Sequence, residues 1–518
     1  MWLNTCLESH EACPKPDASH LPTRVLDVST ENLRLYTSVP SETGLYTALS
    51  YCWGGPQSTR ATVDNLEALK KGIDYNDLPK TLQDAILVTR KIMVRYLWID
   101  SLCIVQDDPV DMAREIERMP QVYKEAYATL SAECAKTCHD GFLHEHPPPM
   151  SAYWSFRLPY RCPDGELGHV ILENRQPTNA SDEPIHARAW TLQETLLSPR
   201  FIGFGGLGIE WRCPSYRITD EMVEADTDDS QFLKGQRTIP YEHHYLFPQN
   251  SLSFHEYVSD EEKAIDSIRI WHDMVEAYTA RQLTAPSDKL PAISAIAQEL
   301  APRIGSHYLA GLWKRALAHE LLWKVDQPLR RPAEWRAPTW SWASVDGIID
   351  YAPMPDADIG DSRMELIDWN IQPRCEVAPF GQLAHASITI KVHMKQVYWV
   401  ARPTTLCDPL SDAYNTQLPL EITFDADEDH GDSIFCVEML PPKPGFRPYV
   451  TGLVLARDYG ADTFKRIGYF EMNKFTEPEH NDGHGPECEL LCKTMYGMPV
   501  VELADWFANC EAQTITIV

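Results

Sequence analysis

No stretch of the 518-residue sequence is basic enough to track a phosphate backbone: 46 lysines and arginines stand against 75 aspartates and glutamates, a formal charge of −29. Nucleic acid and anionic membrane surfaces are therefore not expected as partners, whereas cationic ones are compatible with the charge. No window offers about 18 consecutive apolar residues, the minimum for a span. The opening MWLNTCLESHEACPKPD lacks a charged segment followed by an apolar one. Neither a membrane span nor secretion is expected, and a cytoplasmic location is. A G-K-[ST] phosphate loop and a G-x-S-x-G elbow are also lacking, which removes the common nucleotide hydrolase and esterase classes. The 14 cysteines follow no disulfide framework spacing. They read as free thiols acting as small buried apolar groups in a reducing compartment.

What is present is ample material for a core. Apolar residues make up 44%, with 15 Trp, 22 Tyr and 15 Phe, and the length suggests about two to four domains. Residues 1–40, broken by Pro14, Pro16, Pro22 and Pro40, read as a leader with a short strand near Asn32 to Tyr36. Tyr46 to Tyr51 has strand composition and runs into the Gly54-Gly55-Pro56 turn. From Pro79 the residues Leu82, Ala85, Ile86, Thr89 and Met93 recur at helical spacing, with Asp77 near the cap position. The apolar run Tyr96 to Ile99 closes on Asp100, a polar residue at the carboxyl end of a buried strand, where open α/β sheets bind ligands. Asp108 and Pro109 start a second helix, in which Pro120 predicts a kink or break near Ile116 to Met119. Ala128 to Ala132 is the next strand, Trp190 to Leu197 a further helix, and 201–204 with 208–211 an antiparallel pair joined through the glycine cluster 203–208. That cluster joins strands instead of opening a helix, so it reads as a hairpin turn and not a phosphate cradle.

The alternation of strand and helix predicts a parallel α/β sheet. The first unit is expected to close near Cys213, followed by an acidic linker at 217–230, a mostly helical stretch from 254 to 323, and period-two strands past Arg336. The domain reading is a 1–40 leader, an α/β domain at 41–215, a mostly helical region at 216–350 and a β-rich region at 351–518.

Four blocks, YTALSYCWGG (46–55), RYLWIDSLCIVQDD (95–108), MPQVYKEAYATLSA (119–132) and RAWTLQETLLSPRFIGFG (188–205), resemble the fungal heterokaryon-incompatibility (HET) family in content, order and spacing. Further likeness runs through LTAPSDKLPAISAIAQEL, YLAGLW and RAPTWSWASVDG to about residue 350. Ala189 departs from the family's glycine between Arg188 and Trp190. The resemblance implies a TIR/flavodoxin-like fold and a role in self/non-self recognition and cell death. Trp190 to Glu194 is similar to the W-C-x-x-E helix of TIR domains, whose glutamate supports cleavage of the nicotinamide–ribose bond of NAD, and this implies Glu194 as the carboxylate facing an oxocarbenium-like ribose. Asp100 and Gln106 would then orient ribose hydroxyls, with Ser50, Tyr51, Trp53, Gly54, Gly55, Arg188 and Trp190 lining the site. NAD would be a substrate, and no cofactor is required.

Two other readings compete. Cys103, three residues past Asp100, offers a thiolate for a transferase, cyclase or hydrolase of secondary metabolism, with His139, His144, His146 or His186 as its base. Alternatively the chain is a non-catalytic module that acts by self-association or by binding a protein partner. Bland roles stand beside each sharp one: Trp98, Trp190 and Tyr123 as core residues, Asp100 as a turn cap, Glu194 as a salt-bridged helix residue. No metal is expected. His480, His484, Cys488 and Cys492 have zinc-type ligands but non-helical spacers, and Cys134, Cys138 and His139 form a weaker cluster.

Overall fold

The computed structural model describes residues 2–15, 19–57, 59–144, 155–161, 167–173, 183–206, 208–219, 259–351, 362–401, 404–407, 420–428, 433–440, 450–458, 462–472, 507 and 510–518. The chain divides into two compact units, Met1–Tyr257 with Arg281–Leu283, and Val258–Ala280 with Thr284–Val518. His146, most of the acidic 217–230 segment and the 480–492 histidine and cysteine pattern lie outside the described residues.

In the first unit, helix α1 (Trp2–Ser9) precedes strands β1 (Arg24–Asp27), β2 (Arg34–Thr37) and β3 (Tyr46–Ser50). Helix α2 (Lys80–Lys91), strand β4 (Tyr96–Trp98), the single turn α3 (Asp100–Cys103), helix α4 (Pro109–Glu125) and strand β5 (Ala128–Ser131) follow. Helix α5 (Thr191–Leu197) and strands β6 (Phe201–Phe204), β7 (Ile209–Cys213) and β8 (Tyr216–Thr219) complete the unit's main sheet and the helices around it. The eight strands lie in the order β8-β7-β6-β5-β3-β4-β1-β2. The four central ones, β6, β5, β3 and β4, are mutually parallel. Both flanks are antiparallel, so the sheet is mixed and not wholly parallel. The segment read as a leader contributes the β1–β2 edge, and β8 carries the unit past Cys213.

Strands β3, β4 and β5 are buried at every position, which explains why their sequences are continuous apolar or small runs and do not alternate. Helix α2 lays Leu82, Ala85 and Ile86 onto Leu49, Leu97, Ile99 and Leu130, each leucine or isoleucine contributing about 1.5–3 kcal/mol on burial. Met93 does not extend that face: it lies beyond the helix end at φ 60°, 92% exposed. Asp77 belongs to a separate 3₁₀ turn, and the capping position of α2 is Pro79. Helix α4 is capped as expected, Asp108 accepting from the backbone N–H groups of Val110 and Asp111. It runs without interruption through Pro120, because the burial of Glu115, Val122 and Tyr123 on both sides of the proline offsets one missing hydrogen bond.

The second unit opens with helix α6 (Asp260–Thr279), started by a Ser259/Glu262 capping box, and helix α7 (Pro291–Ile304), ended by left-handed Gly305. The expected strands form an eight-stranded sheet built on the 19-residue strand Leu383–Ala401. The YLAGLW and TWSWAS strings meet at one carbonyl: Gly311 O accepts from Trp342 Nε1 at 2.9 Å and from Trp271 Nε1 at 3.0 Å. Among the described residues no helix is long and apolar enough to cross a membrane.

Candidate functional site

The chain leaves β3 and returns on opposite sides of it, first as β4 and then as β5, which opens a crevice at the carboxyl ends of the parallel strands. Ser50 is the last residue of β3, and β5 still pairs there, Ala132 N–H donating to Ser50 O at 2.9 Å. Extended Ile99 carries β4 into α3, placing Asp100 at the next strand end. Tyr51 then turns into a loop that only glycine permits. Gly54 has φ 73°, and a Cβ on it would lie 2.7 Å from the Thr137 Cα. Gly55, at φ 122°, faces open space.

Four segments converge on this edge. Ser50 Oγ donates to Glu194 Oε2. Trp53 Nε1 donates to Asp100 Oδ2 at 2.8 Å, and Ser101 N–H donates to Asp100 Oδ1 at 2.6 Å. Arg188, from the segment entering α5, donates to Tyr51 O. Tyr51 Oη donates to Ser101 Oγ at 3.0 Å and accepts from Gln57 Nε2 at 3.1 Å. Asp100, Glu194 and the turn after Tyr51 thus share one site, although long stretches of chain separate them. Gln106 serves the scaffold: its amide donates to Asp100 O and Ile104 O, both at 3.1 Å, bracing α3. Trp190 stands at the cap position of α5 and is partly exposed, whereas Trp98 and Tyr123 are buried core residues that meet edge to face.

The charges explain each other. Burial pushes the Glu194 carboxyl up to about 7, with the negative charge of Asp100 adding to the rise and the Arg188 guanidinium and the Ser50 hydroxyl opposing it. Asp100 is also raised by burial, against the pull of Arg188 and its Trp53 and Ser101 hydrogen bonds. Burial works against the Arg188 cation, but the two carboxyl groups outweigh it and its pKa rises. A second guanidinium, Arg281, is brought down to about 10 by burial, countered in part by Glu194. It donates to Thr191 Oγ1 at 3.1 Å and to Arg188 O at 3.3 Å. The site therefore holds two acids and two cations, with one acid titrating near neutrality, the property a group needs to exchange charge state at working pH.

Sequence reasoning missed Arg281, Ser101 and Gln57, and it favoured a core role for Tyr123 over stacking on a substrate. Tyr123 Oη donates to Leu49 O at 3.1 Å and also favours the ionised form of Glu194. Ser131, opposite Ser50 in register, has its Oγ buried without a hydrogen-bond partner among the described residues. Strand-end position was the available signal for Ser131. Nothing local marked Arg281.

Cys103 does not have the character a nucleophile requires. It is fully buried, its sulfur accepts from Ile99 N–H at 3.5 Å, and burial pushes its thiol up to about 12, leaving negligible thiolate at neutral pH. Of the proposed bases, His144 faces Cys134 at 4.0 Å and His186 faces Glu133 at 3.8 Å. Cys134, Cys138 and His139 do not gather their ligand atoms among the described residues. A cavity of about 460 Å³, lined by Leu21, Pro22, Tyr46, Arg118 and Val122, opens at the amino end of β3, away from Glu194.

Residues 46–194 match the family model for heterokaryon incompatibility protein (HET), a span that begins at the first residue of β3 and ends on Glu194. The likeness read from Leu283 to about residue 350 lies outside the matched span. No curated protein and no solved structure matches the chain.

Proposed function

We propose that this chain, whose residues 46–194 match the heterokaryon-incompatibility family model, hydrolyses NAD at the nicotinamide–ribose bond as an effector of fungal self/non-self recognition and cell death. The observation carrying this reading is a carboxyl held at about 7, Glu194, beside Asp100 and Arg188 at the carboxyl edge of parallel strands. The strand order β4-β3-β5-β6, numbered along the parallel set as 2-1-3-4, supports a TIR/flavodoxin-like domain, whose ligands lie at this switch point. In the reaction the C–N bond breaks, its electron pair leaves with neutral nicotinamide, and water adds to the ribosyl cation with release of a proton. The Glu194 carboxylate stabilises the cation, while Asp100 holds ribose hydroxyls. Because the ionised form acts, nicotinamide release is expected to rise with pH through about 7.

The test is incubation of the purified full chain with NAD and chromatographic measurement of nicotinamide. Glu194→Ala is expected to lower the rate by about 10²–10³-fold, and Cys103→Ser to leave it near wild type. Equal rates in wild type and Glu194→Ala end the proposal. The 5% exposure of Glu194 favours one other reading, a non-catalytic module in which the carboxyl only ties β3 to α5. That reading predicts no nicotinamide from any form of the protein.

A further inference from the structure

Away from the crevice, four side chains with metal-binding chemistry meet in the first unit. Cys6 lies on α1, His10 follows one turn later at i+4, and Cys13 sits in the bend beyond it. The fourth, Cys213, ends β7, about 200 residues further along the chain, at the turn into β8. One ligand atom from each, Sγ of the three cysteines and a ring nitrogen of His10, all lie within 4.8 Å of one another. His10 Nδ1 is 3.6 Å from Cys13 Sγ and 3.3 Å from Cys213 Sγ. A tetrahedral zinc ion, with Zn–S near 2.3 Å and Zn–N near 2.0–2.1 Å, sets its ligand atoms roughly 3.5–3.8 Å apart. The two His10–sulfur separations already lie near that spacing, and the others, within 4.8 Å, exceed it by at most about 1 Å.

We propose that Cys6, His10, Cys13 and Cys213 form a structural zinc site of the Cys3His class.

Several features argue for a closed structural centre over a cluster of idle thiols. Three sulfurs cannot be satisfied by one disulfide, and all three cysteines are free and buried. Four protein ligands leave no open coordination position, so the site would hold structure and not activate water. Its surroundings suit that role: Trp2, Leu3, Ile202 and Trp211 pack around the sulfurs and keep solvent out. Ser215 Oγ lies 3.5 Å from Cys13 Sγ, placed to donate to a metal-bound thiolate. With three thiolates, a neutral imidazole and one dication, the centre carries a charge of about −1. The Arg200 guanidinium, which donates to Pro14 O just after Cys13 and to Tyr127 O at 3.2 Å, supplies a nearby countercharge. The expectation of scattered cysteines without a metal role is revised for these three. The spacing C-x₃-H-x₂-C was visible in the sequence, but its partner at 213 was not. Such a centre fastens the N-terminal segment to the β7–β8 edge of the sheet, next to β6.

The test uses the full chain expressed in zinc-supplemented medium and measures bound metal by plasma mass spectrometry. About one zinc per chain is expected, falling well below that in Cys213→Ser and in His10→Ala but unchanged in Cys375→Ser, an exposed cysteine in the second unit. If the ligand variants do not fold, cobalt added to chelator-treated wild type gives a second reading. A near-ultraviolet thiolate-to-cobalt band of three-thiolate intensity, with the strong visible bands of a tetrahedral ion, supports the site. Wild type without stoichiometric zinc and without the cobalt bands overturns the proposal. So does a wild-type zinc content that persists in Cys213→Ser, which would place the metal elsewhere.

Discussion

Glu194 carries the clearest consequence of burial on a single group. Its carboxyl is held at about 7 against an ordinary 4.5, so between those values the native state keeps a proton that the unfolded chain has released. Stability then falls as pH rises through that window and stays low above it, by about 3 kcal/mol in full. Glu194→Gln keeps the shape of the protonated acid and removes the titration. Its stability relative to wild type, from urea unfolding, is expected to grow by up to about 3 kcal/mol between about pH 5 and about pH 8. A difference that stays flat with pH would show that the carboxyl is not held near neutrality. The sequence marked Glu194, Asp100, Ser50, Tyr51 and Trp53 because strand ends and glycine turns leave local signatures. Arg281 leaves none: it reaches Thr191 across 90 residues of chain, and no periodicity encodes such an approach.

One element depends on a contact equally distant in sequence. The α3 turn bearing Asp100 is followed by a loop braced from β1, where Arg24 Nε donates to Cys103 O at 2.6 Å and its guanidinium pairs with Asp111. Asp111 in turn accepts from Val105 N–H at 2.9 Å. Both side chains are 7% exposed. Arg24→Ala leaves a buried carboxylate short of its cation, which costs about 3–5 kcal/mol in such pairs. The low end is expected because Arg114 still faces Asp111 from a half-exposed position. Urea unfolding checks the value, and a loss below about 1 kcal/mol, the range of exposed pairs, would show that the brace is dispensable. The alternation from β3 to β6 was readable because buried strands and amphipathic helices have distinct periods. The β1–β2 edge was readable only in part: β2 lies where a short strand was expected near Asn32 to Tyr36, whereas the prolines around β1 obscured it and its partner β4 gives no sign of which neighbour it takes.

Across the whole molecule the excess of 29 negative charges sets two electrostatic effects against each other. Salt weakens attraction in exposed ion pairs such as Lys263–Asp260 and Lys70–Glu67, but pairs of this kind contribute only about 0–1 kcal/mol each. Buried pairs are screened much less, among them Arg24–Asp111 in the first unit and Arg466–Asp425, 0% and 1% exposed, in the second. What salt relieves most is therefore the self-repulsion of the acidic surface in the compact state. Raising ionic strength from about 0.01 M to about 0.1 M shortens the screening length from about 30 Å to about 10 Å, less than the span of either unit. The thermal unfolding midpoint, followed by circular dichroism, is accordingly expected to rise over this range. A falling midpoint would mean that the exposed pairs act as connected networks whose attraction exceeds the repulsion of the surplus carboxylates, and the acidic surface would then be a source of stability and not a cost.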